Sequence, residues 1–327
     1  MIDMQYSENT IYGINLILKD YANFPRFLPL PCHMEHGWTP LSDALPSDLE
    51  IDKPLMLVFS KRRQKSWKMQ SKTPVYIMGS PLIHYRRMHK ITKKPDARGT
   101  IVFPGHSTAD IESSYNIEKY CQELKSLPKK FHPLTICLFW PDCVSKNINI
   151  YRKAGFKVVT AGPRFKKGLQ FAKNFYKILS TNQYATSNEI GSFTFYALDM
   201  GIPFFLTGEI PLNINTQGLN KDMGETARID QQYFGRKAIK MFSTGPITKI
   251  LPHQRKFADD EMGLDDCLAP KQMNELLWNY RNRDPRRYTG TLAYWAICVL
   301  LALQLSNLTN HVLEISRKIL KKSGGKK

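Results

Sequence analysis

From about residue 100 to residue 206 the chain alternates short apolar runs with helical stretches, and this rhythm restricts the fold more than any other feature. Thr100–Phe103, Leu134–Trp140, Lys157–Thr160, Gln183–Thr186 and Pro203–Leu206 read as strands. Ile111 to Leu127, Ser145–Ala154, Leu169–Leu179 and Gly191 to Met200 read as the helices between them. Strands separated by helices of roughly 10–15 residues imply β-α-β crossovers and a parallel sheet. Ligands on such sheets bind at the carboxyl ends of the strands, so the turns after these strands are where function is sought.

Upstream, Arg26–Pro31, Pro54–Phe59 and Val75–Met78 read as further strands. Two basic blocks lie among them, one running from Lys61 to Lys68 and one from Arg86 to Lys94. The polar, turn-rich segment Lys93–Gly99 sets a boundary near residue 95. Downstream, Met273–Tyr280 reads as an amphipathic helix broken by Asp284-Pro285-Arg286-Arg287. Thr291–Leu305 is strongly apolar but shorter than the ~18 residues a membrane span requires, so a buried helix is expected there, with an interfacial one as the alternative. Leu308, Val312, Ile315 and Ile319 continue at helical spacing beside Arg317, Lys318, Lys321 and Lys322. Such a basic amphipathic end either packs on the core or lies on an anionic leaflet. The expected fold class is α/β, with two Rossmann-like domains carrying parallel sheets over residues 1–95 and 96–270 and a C-terminal helical segment over 271–327.

With 327 residues and 42% hydrophobic composition, the chain has enough apolar material for two such domains. Its charge is less neutral: 47 Lys and Arg face 28 Asp and Glu, a formal balance of +19. An anionic partner is therefore expected, whether nucleotide sugar, acidic glycan, anionic lipid or nucleic acid, although a general solubility charge would give the same balance. No helix-turn-helix, RNP1 or zinc-finger signature is present, which makes nucleic acid the weaker choice. The six cysteines form no C-x-x-C pair and no Cys/His metal spacing, so reduced thiols and no zinc site are expected. Met1 to Asn9 carries Asp3 and Glu8 and lacks an apolar signal core, so a cytoplasmic location is expected.

The turn Thr186-Ser187-Asn188-Glu189-Ile190-Gly191-Ser192-Phe193-Thr194 is the most informative stretch. It sits where the fourth strand of the regular half hands over to a helix, whose first N–H groups and positive dipole end favour an anion. Ser187, Gly191, Ser192 and Thr194 are candidates to hold a phosphate, with Asn188 beside them; an ordinary N-cap would use the same residue types. Glu189 would be repelled by phosphate and suits a sugar or ribose hydroxyl. Glu209, after the next strand, suits a ribose contact. His106, in Gly105-His106-Ser107, follows the first strand of this half and can donate to a phosphate or protonate a leaving group. In the first half, Cys32-His33-Met34-Glu35-His36-Gly37-Trp38 offers Glu35 or His36 as a general base. His33 and His36 lack the further ligands a metal would need.

The run Tyr184-Ala185-Thr186-Ser187-Asn188-Glu189-Ile190-Gly191-Ser192, followed by Gly201-Ile202-Pro203 before a strand, resembles the donor half of GT-B-type bacterial glycosyltransferases of the capsule, lipopolysaccharide and teichoic-acid kind. His36-Gly37 is similar to a His-Gly near the acceptor side of several such enzymes. The resemblance covers about Thr100 to Glu209 and that dipeptide. It implies a GT-B-like pair of Rossmann-like domains with donor nucleotide bound mainly by the second, no obligatory metal or other cofactor, and often a peripheral membrane position near lipid-linked acceptors. No E-x7-E arrangement marks the donor half, so donor identity and stereochemical outcome stay open.

The sequence thus supports a glycosyltransferase that moves a sugar from a nucleotide-sugar donor to a surface-polysaccharide or lipid-linked acceptor. A nucleotide-sugar 2-epimerase, acting without acceptor, is the alternative enzyme. A basic nucleic-acid-binding or membrane-binding protein is the non-enzymatic alternative.

Overall fold

The computed structural model describes residues 7–44, 46–107, 111–145, 147–165, 168–215 and 233–283. The chain divides into two compact units, residues 1–277 and 278–327. The expected break at Asp284–Arg287, the apolar stretch Thr291–Leu305 and the basic stripe after it lie outside the described residues.

The first unit contains two parallel sheets, so the chain is an α/β protein with two Rossmann-like halves. In the first half β1 (His33–Met34), β2 (Met56–Val58) and β3 (Val75–Ile77) lie side by side in that order. Met56, Leu57 and Val58 are all buried, as suits a strand covered on both faces. The strand expected over Arg26–Pro31 does not form. Pro25, Pro29 and Pro31 offer no N–H to a ladder, and pairing begins only at His33.

Around this sheet run α1 (Ile14–Tyr21), α2 (Pro46–Glu50), α3 (Lys61–Gln70) and α4 (Pro81–Met88). The basic blocks read above as charge alone are therefore helical in part. α3 buries Arg63, Ser66 and Trp67, so one aromatic ring and one paired cation replace the usual apolar stripe. Trp67 joins Met56, Val58, Val75 and Ile77 in the local core.

The second half follows the sequence reading more closely. Its strands are β4 (Thr100–Val102), β5 (Ile111–Ser114), β6 (Leu134–Cys137), β7 (Lys157–Val159), β8 (Tyr184–Ser187), β9 (Phe204–Leu206) and β10 (Leu212–Asn215). Five of them form a wholly parallel sheet in the order β7-β6-β4-β8-β9. Counted from β4 this is 3-2-1-4-5, the Rossmann order, whose reversal point lies between β4 and β8. The helix expected over Ile111 to Leu127 is divided. β5 pairs antiparallel with β10, and α5 (Ile117–Lys125) starts only after Asn116, whose side chain accepts the Lys119 N–H at 2.8 Å.

The other helices are α6 (Trp140–Cys143), α7 (Asn147–Lys153), α8 (Gln170–Leu179), α9 (Ser192–Asp199), α10 (Tyr233–Phe242), α11 (Pro252–Met262) and α12 (Pro270–Arg283). Val102, Ile136 and Phe205 on the strands and Tyr120, Leu124 and Tyr151 on α5 and α7 build a core on one side of the sheet. Each such side chain contributes roughly 1.5–3 kcal/mol by leaving water.

Several contacts hold the halves together. α4 packs on α8 and α9, where Asp199 receives both Arg86 and Arg87. The Tyr176 hydroxyl donates to Leu82 O at 2.9 Å. α11 bridges α9 and α3.

Candidate functional site

A cavity of about 410 Å³ opens where the two halves face each other. The first half contributes His36, Gly37 and Trp38. The second contributes Glu189 to Phe193 from the β8–α9 junction, His106 from the β4 turn and Arg164 from the turn after β7. Both junction turns flank the reversal point of the sheet, where adjacent crossovers diverge and leave a crevice.

The local chemistry at that point is closely tied. Ser187 is fully buried; its hydroxyl donates to Phe103 O at 2.5 Å and accepts the Glu189 N–H at 2.9 Å. Asn188, also buried, accepts the Gly105 N–H at 2.7 Å. These two side chains lock the ends of β4 and β8 together. Thr194 turns inward and receives the Gly191 N–H at 3.4 Å. The phosphate contacts expected of the Ser187 and Thr194 side chains are thus replaced by bonds to the protein's own backbone, and neither residue lines the cavity.

Gly191, Ser192 and Glu189 do line it. Gly191 is the N-cap of α9, and a β-carbon there would come within 2.6 Å of the Phe193 ring. Glycine is needed for that packing, and it leaves the start of the helix uncovered for an approaching anion.

His106 Nδ1 lies 3.4 Å from Glu189 Oε1, and its ring packs against Phe139. Burial pushes the imidazole pKa down, but the hydrogen bond and charge of Glu189, with help from Asp142, outweigh burial and the opposing Arg164; the net direction is upward. A cationic His106 is therefore favoured over an ordinary histidine. Gly105 before it has no room for a side chain: a β-carbon would meet Pro211 Cγ at 2.5 Å. Ser107 accepts the Ser113 N–H at 3.0 Å and borders an adjoining hollow instead of the main cavity. Glu209 is exposed and outside the cavity lining.

Across the cavity, Glu35 and His36 part company. Glu35 is buried, accepts Arg63 Nε at 2.6 Å and the Phe59 N–H at 3.0 Å, and does not line the cavity. His36 lines it.

Arg164 and Tyr12 escaped the sequence reading. Arg164 follows Ala161-Gly162 at the carboxyl end of β7, so the strand-end rule applied to the third strand would have flagged it. Tyr12 has a left-handed backbone (φ 56°), its N–H donates to Arg164 O at 2.7 Å, and its ring meets Phe171 at 4.3 Å. A non-glycine residue in that region is uncommon, and one at a cavity wall is a functional pointer. Nothing in the local sequence announces it.

No protein-family model and no curated protein matches the chain. Among solved structures it is similar to the UDP-GlcNAc 2-epimerase from Neisseria meningitidis bound to UDP-GlcNAc, at 12% identity and TM-score 0.38 over 84% of this chain and 81% of that one. It is also similar to two structures of the wall teichoic acid polymerase TagF. The one soaked with CDPG gives 11% identity and TM-score 0.30 over 76% of this chain and 58% of that one. The other gives 10% identity and TM-score 0.31 over 83% and 68%. At such scores the likeness names no activity, and the residues of the cavity carry the functional reading. Among the described residues no helix is long and apolar enough to cross a membrane, and no three His, Cys, Asp or Glu side chains gather as a metal-ligating group.

Proposed function

We propose that this chain is a glycosyltransferase, moving a sugar from a nucleotide-sugar donor to a surface-polysaccharide or lipid-linked acceptor. One observation carries the reading: two imidazoles face a single cavity from opposite halves, and one of them stands beside a helix N-terminus and an arginine.

The donor diphosphate sits on the α9 N-terminus at Gly191 and Ser192, with His106 and Arg164 supplying positive charge. Glu189 favours the protonated form of His106. His36 takes the proton of the acceptor hydroxyl as that oxygen bonds to the sugar's anomeric carbon. The carbon–phosphate-oxygen bond breaks, and its electron pair leaves with the nucleoside phosphate, where His106 and Arg164 stabilise it. The acceptor is an anionic or lipid-linked glycan, in keeping with the +19 balance. A position against the inner face of an anionic membrane brings such an acceptor within reach, and the reaction proceeds without an obligatory metal.

The test is a thermal-shift series with CMP, UDP, GDP and their sugars on the full chain. At 100 times its Kd a true ligand adds about 2.7 kcal/mol of stability. No shift with any nucleotide would sink the donor site. With the best donor in hand, its conversion in the absence of acceptor separates the enzymes: an epimerised sugar assigns the chain to the 2-epimerases, whereas transfer that requires an added glycan acceptor supports the proposal.

A further inference from the structure

We infer that Ser192 and Glu261 are positioning residues for His36, which makes anion binding on α9 and the placement of the acceptor-side loop one coupled event; this rests on the donor site proposed above.

The loop after β1 is held at both ends by the opposite half and by α11. Glu261 on α11 is buried, and its Oε2 accepts the Trp38 indole N–H at 2.6 Å and Arg62 Nη2 at 2.7 Å. The Arg62 guanidinium then donates to Leu41 O at 2.7 Å and Thr39 O at 2.8 Å. A single carboxylate thereby fixes three points of the loop that follows His36. At the other end the Trp38 backbone N–H donates to Ser192 Oγ at 2.8 Å, and the Trp38 ring packs on Phe195 of α9 at 5.3 Å. A β-carbon on Gly37 would lie 3.4 Å from Ser192 Oγ, so the loop already touches the helix start.

Ser192 is thus the point where the two proposed roles meet. Its oxygen has two lone pairs and one O–H. Trp38 N–H occupies one lone pair. The Ser192 O–H can then be directed at an anion on α9. A hydroxyl that donates to an anion becomes a better acceptor, because bonds in a chain polarise one another. Anion binding then strengthens the Trp38 contact, and by linkage a well-seated loop strengthens anion binding by the same factor.

The experiment uses 15N-labelled full-length protein titrated with inorganic pyrophosphate, with calorimetry alongside. The Trp38 indole resonance is assigned by its loss in Trp38→Phe, and the His36 ring resonances by their loss in His36→Gln. In the wild type, pyrophosphate should move His106, Trp38 and His36 together. In Ser192→Ala, affinity should fall about tenfold, as one charged hydrogen bond is lost, and at saturation His106 should still move while Trp38 and His36 do not. Glu261→Gln should shift the indole resonance in the absence of pyrophosphate and abolish the His36 response. If that variant does not fold, Trp38→Phe, which keeps an aromatic ring against Phe195, should show the same loss at His36. Pyrophosphate that binds with Trp38 unmoved, or with Trp38 moving fully in Ser192→Ala, overturns the coupling and leaves the donor site standing. Absence of any pyrophosphate binding overturns both.

Discussion

Glu35→Gln separates the two candidate bases of the first half. Glu35 is 6% exposed and Arg63 is 3% exposed, with 2.6 Å between Oε1 and Nε. The second carboxylate oxygen accepts the Phe59 N–H at 3.0 Å. Glutamine has one carbonyl oxygen and one NH2, so it can serve one of these donors but must press its own N–H groups against the other. It also leaves the Arg63 charge buried beside a neutral group. Removing one partner of a buried ion pair costs about 3–5 kcal/mol. At ~2–4 °C per kcal/mol for a large domain, Tm should drop by roughly 6–20 °C. Nucleotide affinity, measured by calorimetry below the melting transition, should survive because Glu35 does not face the cavity. His36→Gln should behave in the opposite way, with Tm nearly unchanged and transfer lost. A Glu35→Gln variant that melts like the wild type and has lost turnover would refute this division of labour and return the base to Glu35.

Three further outcomes follow from the cavity. The raised pKa of His106 means that its contribution to anion binding is fully present below the ordinary histidine range and is lost as pH rises through the elevated value; calorimetry across pH should show the loss moving to lower pH in Glu189→Gln, and an unmoved profile would remove Glu189 from the role. Arg164→Ala should raise the nucleotide Kd about 10- to 100-fold, the loss of a charge-assisted contact of ~1.5–3 kcal/mol, and an unchanged Kd would place Arg164 outside the donor site. Gly105→Ala drives a β-carbon to 2.5 Å from Pro211 Cγ, so the turn must shift and carry His106 with it; a stability loss of about 1–3 kcal/mol with weaker nucleotide binding is expected, and a variant indistinguishable from wild type in both would show that the turn has slack.

The second half was legible because its strands are apolar runs at crossover spacing, and all five strands of its sheet fell where that spacing put them. The first half was less so. α3 shows no apolar period because its inward positions hold Arg63 and Ser66 as well as Trp67, and the partner that makes Arg63 tolerable lies 28 residues away at Glu35. Arg26–Pro31 misled because Leu28 and Leu30 are buried as strand residues would be, although prolines around them prevent pairing. Site residues show the same split. His106, Glu189, Gly191 and Ser192 sit at strand ends that pattern alone marks out, whereas His36 follows β1, a strand the pattern did not mark. Whether Ser187 faces a ligand or ties two strands together depends on Phe103, 84 residues distant, and local pattern carries no trace of that.

The charge balance also changes meaning once partners are visible. Arg62 is paired with Glu261, Arg63 with Glu35, Arg86 and Arg87 with Asp199, and Lys61 with Asp266. Much of the two basic blocks is thus spent holding helices and halves together. A nucleic-acid-binding face on α3 and α4 would need those cations for phosphates, and releasing them would leave Glu35, Glu261 and Asp199 as buried unpaired carboxylates. The cavity instead brings Arg164, His106 and a helix start to one lining, an arrangement that suits one compact diphosphate. Affinity for a nucleoside diphosphate should therefore fall only gently between 50 and 200 mM salt, whereas a protein contacting 6–10 phosphates of a duplex loses about 10³–10⁵ over that interval. A steep loss measured on duplex DNA, together with indifference to nucleotides, would favour the nucleic-acid-binding alternative over the enzyme.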